Sequence, residues 1–117
     1  MKADITKSEL VKYIFINRRD ALCLFPQVCK KFGYNSAAFL GYVVDKYFRE
    51  KNQLEWLSIS VNEVEDQIYL TREEQDSCIK ALNMAKILQK KTAGLPPTRH
   101  FKLDMELLAG VLTSSEN

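Results

Sequence analysis

Histidine is nearly absent from this chain: His100 is the only one in 117 residues. With it go most zinc sites and the familiar triads that route a proton through an imidazole. Cysteine is scarce as well. Cys23, Cys29 and Cys78 form no CxxC and lie at no metal-ligand spacing, and three cannot all pair within one chain. They read as reduced, buried thiols of a cytoplasmic protein rather than a disulfide framework. The longest apolar run, around Ala37 to Val44, is broken by Gly41 and Tyr42 and ends at Asp45. That is far short of the roughly 20 residues a membrane helix needs, so no membrane association is expected. No unbroken apolar core follows a basic start, and a secretory leader is not expected either. Internal repeats, low-complexity segments and nucleotide-cradling loops are missing, and no residue pair supplies both nucleophile and base. No enzyme activity, catalytic residue, cofactor or metal is therefore expected.

What is present is ordinary in bulk and uneven in detail. A hydrophobic content of 46% with 27% charged residues fits a soluble globular chain. The length suffices for one core. Residues 1–112 are expected to form a single domain, with 113–117 a disordered tail. The net charge is only +2, but it is unevenly spread. Residues 1–50 carry nine Lys/Arg against five acids, and residues 51–117 carry eight against ten. Within the second half the acids concentrate before residue 77. From Lys86 to Lys102 there are five bases and no acid, a local electrostatic footprint.

Boundary signals divide the chain. Thr6-Lys7-Ser8-Glu9 has the capping-box form, which favours a helix through Leu10, Tyr13 and Ile14 over a strand through the β-formers Tyr13 to Ile16. Pro26 opens a short helix that stops at Gly33, read as a left-handed cap. Asn35 or Ser36 caps the next helix, which runs to about Lys51. Its stripe of Phe39, Leu40, Val43, Val44, Tyr47 and Phe48 is a core face. A short strand is expected at Glu55 to Ile59. Ser60 with Glu63, and then Thr71 with Glu74, are two further capping boxes opening two helices. Val61, Val64 and Ile68 face inward on the first, Cys78, Ile79 and Leu82 on the second. Ile87–Thr92 and Thr98–Leu103 flank Gly94-Leu95-Pro96-Pro97 as a β-hairpin, and Asp104 caps a last helix over Met105–Leu112.

Strand, two helices joined by a tight turn, then a hairpin is the order of a winged helix-turn-helix. The expected fold class is therefore mainly α with a small antiparallel β-wing and additional N-terminal helices. Such a helix fits a major groove, and a hairpin lies along a neighbouring groove or the backbone. The second helix would expose Arg72, Glu73, Asp76, Ser77, Lys80 and Asn83. Arg72, Ser77 and Lys80 are candidate DNA contacts. On the wing, Lys90, Lys91, Arg99 and Lys102 would supply about two to four phosphate contacts, with His100 beside them. Arg18, Arg19, Lys30 and Lys31 would widen that surface if the fold brings them alongside. Glu73 and Asp76 repel phosphate and favour the positive end of the helix dipole. They are also the candidate contacts for a basic host protein, in a module serving as adaptor or inhibitor.

Trp56-Leu57-Ser58-Ile59-Ser60, Leu70 to Gln75, Ile79-Lys80-Ala81-Leu82 and Gly94 to Leu103 together resemble the winged-helix domain of phage and plasmid replication proteins, the replisome-organiser type. Ala21 to Phe48 is similar to the helical segment preceding the wing there, so the likeness covers roughly residues 20–104. Its distinguishing marks are Gln75 and the Gly-x-Pro wing. The resemblance implies a helix-rich winged domain, binding to double-stranded origin or operator DNA in replication or transcription control, and frequent self-association, here as a homodimer. The chain departs from that pattern at Lys86, where the family often has glycine, and in the acids crowding its second helix. A left-handed conformation at Lys86 would cost on the order of 1 kcal/mol.

Overall fold

The computed structural model describes residues 6–17, 22–50 and 55–113. Within them the chain is mainly helical with one small antiparallel sheet. The order is α1 (Lys7–Asn17), α2 (Pro26–Phe32), α3 (Tyr34–Arg49), β1 (Leu57–Ser58), α4 (Val61–Ile68), α5 (Arg72–Met84), β2 (Leu88–Ala93), β3 (Thr98–Leu103) and α6 (Met105–Leu112). β3 lies between β1 and β2 and is antiparallel to both. Among the described residues no helix is long and apolar enough to cross a membrane. The expected contributions of Arg18 and Arg19 fall outside the described residues, as does all of the expected tail except Thr113. Thr113 ends α6 with its backbone N–H on the Ala109 carbonyl at 3.0 Å.

Local chemistry sets most helix boundaries. Each capping box forms reciprocally: Thr6 with Glu9, Ser60 with Glu63, and Thr71 with Glu74. Each satisfies two backbone donors that a helix start leaves unpaired. Asp104 caps α6 through the Leu107 N–H at 3.0 Å. At the α2–α3 junction the sequence reading needs correction. Gly33 has φ 90° and ψ 168°, an extended conformation at positive φ rather than a left-handed helical cap. That region is essentially reserved for glycine. Gly33 ends α2 and starts α3, so α3 begins at Tyr34 without the expected side-chain cap from Asn35 or Ser36.

Lys86 is the converse case: it adopts the left-handed conformation (φ 64°) although it is not glycine. The Ile87 N–H bonds the Leu82 carbonyl at 3.1 Å and the Lys86 N–H bonds the Asn83 carbonyl at 2.9 Å. These are the two bonds of a Schellman ending, and the accompanying apolar contact pairs the buried residues Leu82 and Ile87. Burial of that pair, worth several kcal/mol, outweighs the roughly 1 kcal/mol of backbone strain.

The core lies where α3, α5 and the sheet meet. Phe39 of α3 and Phe101 of β3 are fully buried and pack edge to face, 5.7 Å between ring centroids. Leu57, Ile59, Val64, Leu70, Cys78, Ile79, Leu82, Ile87 and Leu88 join the same cluster. The α3 stripe is buried only in part: Phe39, Leu40 and Val43 are inside, whereas Phe48 is exposed. Gly41 is required where α3 passes the segment before α2, since a Cβ there would collide with the Cys23 carbonyl. Cys23 itself is exposed and Cys29 partly so; of the three free thiols only Cys78 is buried as expected. α1 exposes Leu10, Val11, Tyr13, Ile14 and Ile16.

Candidate nucleic-acid interface

α4 and α5 are joined by Tyr69, Leu70 and Thr71. Tyr69 takes a left-handed conformation (φ 60°, ψ 32°) that turns the chain sharply, while Leu70 is buried. One face of α5 is thereby committed to the core. Arg72, Glu73, Glu74, Asp76, Ser77, Lys80, Asn83 and Met84 stay exposed, which includes every α5 residue expected at a surface.

The helix pair carries six acids against two bases, Arg72 and Lys80. Several of those acids have internal work. Glu63 Oε2 accepts from the Tyr42 hydroxyl at 2.7 Å and from Lys46 Nζ at 2.8 Å. Lys46 also donates to the Ser58 carbonyl at 2.9 Å, tying α3 to β1. Burial pulls the Glu63 pKa upward, but donation from Lys46, Tyr42 and the Ser60 N–H together hold it below the usual carboxylate range. The same contact pushes the Tyr42 phenol up, after burial as the larger cause. Glu74 is held in its capping box. Glu65, Asp66 and Glu73 make no such contact among the described residues.

On the hairpin, register divides the bases between two faces. Lys91 stands opposite His100 and Gln89 opposite Lys102, while Lys90 stands opposite Phe101 and Thr92 opposite Arg99. Side chains alternate along a strand, so His100 and Lys102 share one face and Arg99, Phe101 and Leu103 share the other. Arg99 is therefore on the inward side, with Phe101 and Leu103 both buried. Arg99, expected among the outward phosphate contacts, turns inward instead, and His100 is the residue that alternates outward.

Arg99 is engaged on three sides. Its Nε donates to the Ile59 carbonyl at 3.0 Å and its Nη2 to Gln75 Oε1 at 2.9 Å. The guanidinium carbon lies 5.2 Å from the Phe101 ring centroid, and Nη1 is buried without a hydrogen-bond partner. Burial lowers the Arg99 pKa, Asp76 opposes that shift, and Arg72 adds to it. Asp76 is thus the acid whose field most favours the charged guanidinium.

The remaining hairpin bases are more accessible. Lys91 Nζ sits 4.2 Å from the Trp56 ring centroid, and Lys102 makes an ion pair with Glu55 at 3.3 Å on the surface. His100 Nδ1 lies 3.1 Å from the Thr98 carbonyl. Lys90 is exposed with no ion pair among the described residues. At the tip, Leu95 is 99% exposed. Lys30 and Lys31 line an open cleft of about 600 Å³ between α2 and α6.

Sequence reasoning marked Gln75 as distinctive but gave it no role. It is fully buried, and its amide donates to the carbonyls of Leu70 at 2.9 Å and Val61 at 3.2 Å. The signal was there in part: Gln75 precedes Cys78, Ile79 and Leu82 at spacings of three, four and seven, so helical periodicity places it on their face. No group of three or more His, Cys, Asp or Glu able to hold a metal occurs among the described residues. No family model matches the chain, and neither does any curated protein or solved structure.

Proposed function

We propose that residues 57–103 act as a winged helix-turn-helix that associates with duplex DNA, mainly through phosphate contacts from the hairpin. The observation that carries this reading is the placement of α5, open along its outer face, next to a hairpin that carries no acid of its own and whose bases, Arg99 excepted, are accessible. Lys91, His100 and Lys102 on one face of the hairpin and Lys90 on the other supply the wing contacts; Arg72, Ser77 and Lys80 supply those from α5. Phosphate contacts position a protein without reading sequence, so affinity depends steeply on salt and little on base order. A role in phage or plasmid replication or in transcription control, as a homodimer, follows the resemblance noted above, and a cytoplasmic location follows the reading of the cysteines as reduced thiols.

A second reading is favoured by one specific feature. Glu65, Asp66 and Glu73 are acids of the helix pair without internal partners, and they suit an adaptor or inhibitor docking on a basic host protein. Fluorescence anisotropy with a random-sequence duplex separates the two. Under the DNA reading, binding is measurable at about 50 mM salt and falls by orders of magnitude towards 200 mM. Glu73→Lys then tightens it by removing a repulsive charge. Absence of binding at the lower salt sinks the DNA reading, and loss of a pulled-down protein partner in Glu73→Lys supports the adaptor.

A further inference from the structure

The hairpin does not meet the helix pair through apolar contacts alone. Gln75 and Arg99, 24 residues apart, form a polar joint between them. Through its amide nitrogen Gln75 holds the Val61 carbonyl at the start of α4 and the Leu70 carbonyl in the α4–α5 turn. Through its amide oxygen it holds Arg99 of β3. Arg99 in turn holds the Ile59 carbonyl between β1 and α4, while its own carbonyl accepts the Ile59 N–H at 3.1 Å. Five segments converge on two side chains: the β1–α4 link, the start of α4, the α4–α5 turn, α5 and the hairpin.

We infer that Gln75 and Arg99 form a clamp that fixes the angle of the hairpin against α5, so that both present one preset surface. Both are positioning residues. Gln75 is fully buried and cannot touch a ligand. Arg99, although cationic and on the hairpin, spends its donors inward. The chemistry demands these residue types. A buried amide can donate to carbonyls with one atom and accept with the other. Only the guanidinium offers several donors in a rigid plane, which lysine cannot replace. Burial disfavours the guanidinium charge, and the fields of Asp76 and Glu63 oppose that effect. A preset hairpin loses less freedom on binding than a swinging one.

The functional half of this inference rests on the nucleic-acid reading; the structural half does not, and the test keeps them apart. Amide hydrogen exchange is followed along β2 and β3 and in the α3 and α5 interiors, for the intact chain, Arg99→Lys, Gln75→Met and the double variant. Residual dipolar couplings report the hairpin's orientation to α5. With the clamp, each single variant raises exchange at residues 90–100 by about tenfold or more while the helix interiors change far less. The double variant is no worse than the more affected single one. Arg99→Lys, with its charge intact, and Gln75→Met also both weaken duplex binding by about three- to tenfold, because orientation is lost. Unchanged hairpin exchange and orientation, a uniform rise through the whole molecule, or additive effects of the two substitutions would each overturn the clamp. Full duplex affinity in Arg99→Lys with a loosened hairpin retains the clamp and removes its functional role. If the intact chain binds no DNA, the nucleic-acid reading fails while exchange and couplings still decide the clamp.

Discussion

The helix pair α4–α5 and the hairpin β2–β3 carry charge in opposite ways. In the helix pair, two of the six acids have structural tasks: Glu63 bonds Tyr42 and Lys46, and Glu74 closes a capping box. In the hairpin the bases are mostly spare, since Lys91 and Lys102 make only exposed contacts and Lys90 makes none among the described residues. Arg99 is the exception, and it belongs structurally to the helix pair. A sequence count of charges treats all of these alike. The structure separates charge that holds the fold from charge left over for a partner.

The largest effect should come from removing spare charge. Substituting Lys90, Lys91 and Lys102 together by Ala should lower duplex affinity about 100-fold at low salt and shallow the salt slope by roughly two to three. The melting temperature should hardly move, because exposed substitutions usually stay within about 0.5 kcal/mol. A large loss of stability with affinity intact would break the comparison.

Employed charge should behave in the opposite sense. Glu63→Gln should cost about 1–2 kcal/mol of stability near neutral pH, measured by urea unfolding, and leave duplex binding alone. Because the folded pKa of Glu63 lies below 4.5, its stabilisation is full above the unfolded value and is lost as pH falls through the folded one. The intact chain should therefore lose stability on acidification below that point, while the Glu63→Gln chain shows a shallower acid limb. Equal acid limbs would show that the carboxylate is not employed as described.

The smallest effect tests the joint between the two regions. Lys86→Gly should raise stability by about 0.5–1 kcal/mol, the relief of left-handed strain less the added freedom of the unfolded chain. A destabilised Lys86→Gly variant would mean that the lysine stem contributes packing there.

What was legible in the sequence was local. The three capping boxes, the Asp104 cap, the span of β3 and the inward face of Cys78, Ile79 and Leu82 all follow from residues within one or two turns of each other. The Gly94–Pro97 turn was legible for the same reason. What escaped involves partners distant in the chain. Gln75 shares the helical face of Cys78, Ile79 and Leu82, but its role emerges only when its acceptors at Val61 and Leu70 and its donor at Arg99 are brought together. Arg99 reads as a spare base in a basic run, although its parity with Phe101 and Leu103 already places it inside. The strand at Glu55–Ile59 shortened to Leu57–Ser58 because β1 gains ladder partners only opposite His100 and Phe101.

β2 has a neighbour on one side only. Its free edge is a row of unpaired amides and carbonyls, the template on which a second chain can anneal as an added strand. Lys90 and Lys91 stand in the middle of that edge. Consecutive strand residues point to opposite faces, so the two ammonium groups flank the edge on either side and make a like-charged edge from another copy repellent. An edge stripped of these charges would become adhesive to its own kind, and the two lysines guard it against fibrous self-assembly.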